Sequence, residues 1–113
     1  MQPRALKYIL DIESVIEELE HFKSLVENNF ENYQKEIVVK RATERNLEII
    51  GEAIKKFHSI EPNLKISSSA KIIGLRNLIA HAYDSVDDEI IWAIIQKNIP
   101  TLSEEIKKLK AGN

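Results

Sequence analysis

An all-α, up-and-down bundle of four to five helices is the fold the sequence predicts. Apolar residues recur at helical intervals along most of the chain, Gly and Pro number only three each, and no stretch alternates apolar with polar as a strand would. The 113 residues suffice for one domain spanning 1–113 and not for two, and a 43% hydrophobic content can fill its core.

The first helix starts near Pro3, a residue suited to a first turn, and runs to about Val26. Its stripe is Leu6, Ile9, Leu10, Ile12, Val15, Ile16, Leu19 and Phe22. Asn28 and Asn29 mark a turn. A long second helix is expected from about Glu31 to His58, with Val38, Ala42, Ile49, Ala53 and Phe57 inward and Ile50 and Ile54 beside them. Gly51 inside that helix costs roughly 1 kcal/mol relative to Ala, so the close approach of another helix is its expected reason. The serines at 67–69 offer N-caps for a third helix, which extends to about Ala82. Ser85 and Asp88 form a capping-box pattern ahead of a fourth helix carrying Trp92. Pro100 disfavours a helical Ile99, which predicts a break there and a last helix from Thr101 to about Lys110.

The absence of cysteine excludes disulfides, thiol catalysis and Cys-based metal sites. No window is apolar enough to span a membrane, and Asp11 and Glu13 interrupt the N-terminus too early for a signal peptide, so a cytoplasmic protein is expected. The net charge of −2 does not by itself suggest nucleic acid. From Pro62 to Tyr83, however, there is no Asp or Glu, while Lys65, Lys71 and Arg76 are basic, which predicts a locally positive surface.

Within the third helix, "LRNLIAHAYD" sets Arg76, Asn77, His81 and Tyr83 into an apolar run. Ile72, Leu75, Ile79 and Ala82 share one face. Arg76 and Tyr83 lie about 20° apart at its edge, whereas Asn77 and His81 fall on the far side. Arg76 and His81 are about 140° apart around a regular helix, so they converge only if the helix loosens near His81 or if a two-fold dimer brings two copies together. Converged, they would form a phosphodiester-cleaving pair. A neutral imidazole can take a proton from a ribose 2′-hydroxyl, a guanidinium can hold the phosphate, and Asn77 can support either. That chemistry needs no metal and no cofactor. Taken singly, the same residues read as ordinary surface and packing groups. Trp92 reads as core, His21 and His58 as surface, and Glu44, Arg45, Glu48 and Glu52 as ion-pairing residues along one helix.

The ordered set Arg76-x4-His81-x-Tyr83 resembles the motif of the HepT-like branch of the HEPN superfamily, also known as DUF86. "RATERNLEIIGEAIKKF" at 41–57, "IIGLRNLIAHAYDSVDDEIIWAII" at 72–95 and "IPTL" at 99–102 extend the likeness. It implies a HEPN-like bundle that dimerises around a cleft lined by the motif. It also implies a metal-independent endoribonuclease acting on RNA, with Arg76 and His81 catalytic, as the toxin of a type VII toxin–antitoxin module. The implied partner is a cognate MntA-like nucleotidyltransferase antitoxin that adenylylates Tyr83. The alternative is a non-catalytic helical module that binds a minimal nucleotidyltransferase and presents its substrate. Cleavage of RNA in the presence of a chelator separates the two.

Overall fold

The computed structural model describes residues 1–81 and 87–112, the His81 side chain excepted. Among these residues the chain is all-α, with five helices and no strand: α1 Pro3–Leu25, α2 Phe30–Lys35, α3 Ile37–Ile60, α4 Ser69–His81 and α5 Asp88–Ala111. Helix α3 is the axis, with α1 and α4 packed against it, while α5 packs chiefly on α1. None of these helices is long and apolar enough to cross a membrane.

Helix α1 begins at Pro3 as its sequence predicts, and Ala5, Ile9, Ile12, Ile16 and Leu19 form its buried stripe. The chain then reverses through Glu27 and Asn28, at φ 57° and 50°. This is the left-handed region that Asn tolerates better than most residues. The Asn28 Oδ1 accepts from Gln96 Nε2 at 2.6 Å, which ties the turn to α5. The Asn29 Oδ1 caps α2 by accepting from the Asn32 N–H at 3.0 Å.

The long second helix expected from sequence is two helices. Glu36 leaves the helical region at φ −97°, ψ 88°, and its N–H donates to the Asn32 and Tyr33 carbonyls. The break changes the phase of α3 relative to α2. Val38, expected inside, is 75% exposed, and Val39 takes the buried position. From there Leu47, Ile50, Ala53, Ile54 and Phe57 continue the core face of α3.

Pro100 does not break the chain, contrary to expectation: α5 runs through it without interruption. Ile95, Ile99, Leu102 and Ile106 are all buried on both sides of the proline. The four together bury enough apolar surface to outweigh a local penalty of about 3 kcal/mol. Pro100 itself faces solvent, and the Thr101 hydroxyl donates to the Lys97 carbonyl at 3.2 Å, adding a donor in the turn where the proline lacks one. The cap of α5 is Asp87, which accepts from the Glu89 N–H at 2.8 Å. The cap expected from sequence, Ser85, lies outside the described residues.

Trp92 packs against the core, with ring centroids 5.1 Å from Tyr33 and 6.0 Å from Phe30. Tyr33 is buried, and its hydroxyl has no partner among the described residues. Burial pushes its phenol well above the ordinary 10.0, with Asp88 and Glu44 adding to the rise and Arg41 opposing it. A raised folded-state value means that stability is complete below the unfolded value and is lost as pH rises past it. Tyr33→Phe is therefore expected to raise stability by about 1 kcal/mol at neutral pH, by removing a buried unpaired hydroxyl. It should also flatten the alkaline loss of stability. Thermal melts of both proteins at neutral and strongly alkaline pH check this.

Candidate active site

The glycine in α3 has the reason its sequence suggested. A Cβ on Gly51 would lie 2.5 Å from Arg76 Cβ and 3.3 Å from the Ile72 carbonyl oxygen. Such separations are shorter than carbon contacts tolerate, so only glycine lets α4 approach here. Ile72 and Leu75 are buried on α3, and Ile79 is half-buried. Arg76 therefore crosses α3 at Gly51 with its stem packed and its head turned toward the next residue, Glu52.

Arg76 Nη2 sits 2.8 Å from Glu52 Oε2, and the two side chains are 24% and 39% exposed. The approach is a charge contact without linear alignment, since neither Glu52 Oε2 nor Arg76 Nε completes a hydrogen bond among the described residues. Arg76 Nη1 donates to Asn77 Oδ1 at 2.9 Å. The sequence set Asn77 on the far side of α4, but adjacent positions and a long arginine stem bring the two groups together. Each terminal nitrogen carries a second N–H, so the guanidinium is held from two sides and still has donors for an anion.

Arg76 and Glu52 form part of the wall of a cleft of about 430 Å³ between α1 and α3. Lys56, one turn along α3 from Glu52, faces the same space, as do Tyr8 and Asp11 from α1. The expected positive surface is thus partly offset at its most useful point: Lys65 and Lys71 are exposed, whereas Arg76 is paired with an acid. Glu52 is the site residue that sequence reasoning missed. Periodicity assigned it to pairing along its own helix, and the signal that could have found it was the adjacent Gly51, which marks where α4 crosses.

His81 closes α4, and its side chain lies outside the described residues, as does all of Tyr83. The structure therefore positions Arg76 and Asn77 together and leaves the other two members of the motif without described geometry. His21 is exposed as expected, but His58 is half-buried, with Nε2 unpartnered among the described residues. Burial lowers the His58 pKa, and Lys65 lowers it further. No group of three or more His, Cys, Asp or Glu among the described residues is arranged to hold a metal ion.

A five-helix arrangement with an arginine on the fourth helix, anchored where that helix crosses the third, is an all-α HEPN-like bundle. The chain belongs to the Ribonuclease HepT-like family, whose model matches residues 15–109. It is 36% identical over 101 residues to "Putative RNase TTE0752" of Caldanaerobacter subterraneus subsp. tengcongensis, covering 87% of this chain and 89% of that one. It is 33% identical over 107 residues to "Probable ribonuclease HepT" of Thermococcus cleftensis, covering 91% of this chain and 93% of that one. No solved structure matches the chain at a significant level.

Proposed function

We propose that this protein is a metal-independent endoribonuclease and the toxin of a toxin–antitoxin pair, in which Arg76 and His81 act on RNA with Asn77 in support. The observation that carries the reading is the family match taken with Arg76, an arginine fixed by two neighbours with N–H donors to spare. The His81 imidazole removes the proton of a ribose 2′-hydroxyl. The 2′-oxygen then bonds to phosphorus as the bond to the 5′-oxygen breaks, and the leaving oxygen takes a proton from an imidazolium or water. Arg76 holds the phosphate and offsets its growing charge. The products carry a 2′,3′-cyclic phosphate and a 5′-hydroxyl.

A homodimer completes the site in this reading. Gly74, Leu78 and His81 share one face of α4 at helical spacing. Leu78 on that face is 54% exposed, and a Cβ on Gly74 would meet nothing within 4 Å. In this reading the two-fold related copy supplies its His81 to the Arg76 of the other chain, the convergence that one regular helix denies. Solution mass at micromolar concentration reads it directly.

The test of the activity is RNA incubated with purified protein and EDTA beside a His81→Ala control. Cleavage is expected in the chelator and absent from the variant. Cleavage that survives His81→Ala, or that EDTA stops, overturns the mechanism.

Regulation in this reading runs through Tyr83. A cognate MntA-like nucleotidyltransferase transfers AMP from ATP to the phenol oxygen and releases pyrophosphate. The added phosphate, seven residues from Arg76 along the chain, would compete with RNA for its guanidinium. Tyr83→Phe is expected to cleave RNA like wild type yet gain no AMP mass and resist silencing when incubated with the cognate enzyme and ATP. Intact mass spectrometry and RNA cleavage measure both halves.

A further inference from the structure

The cleft between α1 and α3 has contents that the cleavage chemistry does not use. Val15, Ile49 and Ala53 give it apolar wall, and Tyr8 adds an aromatic ring. The Lys7 ammonium lies over that ring, 4.8 Å from its centroid. The lysine is exposed and can move aside. Around this surface stand hydrogen-bond acceptors with spare capacity. Asp11 engages Lys7 through Oδ2, and Glu48 engages Arg45 through Oε1, which leaves one oxygen of each carboxylate free among the described residues. The volume of about 430 Å³ falls within the range of small-molecule sites.

We propose that this cleft is a nucleoside subsite holding one base of the RNA strand beside the scissile phosphate. The inference rests on the ribonuclease reading and names what lies next to Arg76. A nucleobase is flat and apolar on its faces but carries N–H donors on its edge, so it suits an apolar and aromatic wall with carboxylate acceptors at the rim. A bare phosphate has no flat apolar face to lay against Val15, Ile49 and Ala53, so it uses only the charged rim. Arg76, paired with Glu52, and Lys56, one turn along α3 from that acid, supply the cations for the attached phosphate. Base and phosphate are thereby read by two different parts of one continuous surface. Protein side chains recognise single-stranded RNA in this way, by taking an unstacked base out of the strand.

The test is titration of the intact protein with adenosine or guanosine 5′-monophosphate, followed by backbone amide NMR. Ribose 5-phosphate and inorganic phosphate serve as base-free probes. The nucleotides are expected to shift the signals of Tyr8, Ser14 and Ile49, and the base-free probes at equal concentration are not. Ser14 is exposed and lines the cleft, so Ser14→Trp fills it without disturbing the core. That variant is expected to bind nucleotide about tenfold or more weakly while the amides of Lys56 and Arg76 respond to high inorganic phosphate as in wild type. Equal response to nucleotide and ribose 5-phosphate, or an unchanged Ser14→Trp, overturns the subsite. If nucleotides titrate the cleft in a protein that cleaves no RNA, the subsite stands and the catalytic reading falls. Cleavage of RNA by a protein whose cleft ignores nucleotides has the opposite meaning.

Discussion

Arg76→Ala is expected to lower RNA cleavage by about a thousandfold, because in the proposed mechanism it removes the donors that meet charge developing on the phosphate. The fold should tolerate the change. The Arg76–Glu52 contact is partly exposed on both sides, so its loss costs about 1 kcal/mol or less. A large kinetic effect with a small shift in melting separates a residue that touches substrate from one that merely supports the bundle. Glu52→Ala extends the comparison. The carboxylate does not reach the phosphate in this scheme but aims the guanidinium, so cleavage is expected to fall by about 10- to 100-fold. Both variants are compared with wild type by single-turnover cleavage of one RNA and by thermal denaturation.

Gly51→Ala should damage the fold and the site together. Alanine would gain about 1 kcal/mol in helix propensity. Against this, its Cβ would meet Arg76 Cβ at 2.5 Å and Arg76 Cγ at 3.0 Å. Forcing a methyl group into such a contact costs about 1–3 kcal/mol, and relief requires α4 to move away from α3. The net expectation is a loss of about 1 kcal/mol with a fall in cleavage of about tenfold or more, as Arg76 travels with its helix. Gly74→Ala is the control for stability alone. Its Cβ would meet nothing within 4 Å, so it should gain up to about 1 kcal/mol. Paired thermal melts and cleavage rates decide the matter, and a Gly51→Ala protein as stable and active as wild type would mean that the close crossing is dispensable.

How much of the fold and the site was legible in the sequence depended on whether the controlling interaction was local. Pro3, the stripe of α1 apart from the exposed Leu10, and the turn at Asn28 are set by neighbouring residues and were readable. The interruption at Glu36 carries neither Gly nor Pro, and no local signal announced it. The inward assignment of Val38 failed for a different reason: Val38 and Val39 are adjacent apolar residues about 100° apart on α3, and tertiary packing buries the second. Pro100 misled in the other direction: a local penalty was visible, whereas the burial of Ile95, Ile99, Leu102 and Ile106 that outweighs it is a tertiary effect. The site divides in the same way. Arg76 and Asn77 stood out as polar groups in an apolar run, but the acid that holds the arginine comes from another helix. Gly51 was the one residue whose local cost carried long-range information.

The attachment of α4 has a mechanical consequence. Just before its start, Ser67 gives both its backbone N–H and its hydroxyl to the Glu105 carboxylate, at 2.8 and 3.0 Å, so this end is clamped to α5. Beyond Arg76, the residues Asn77, Leu78 and Ala80 face outward. The helix is fixed at the serine loop and propped at Gly51, with His81 in the last turn past the prop. A small tilt about that prop moves the His81 end of α4 relative to α3 while scarcely moving Arg76, so the placement of that end over α3 depends on what packs against the last turn.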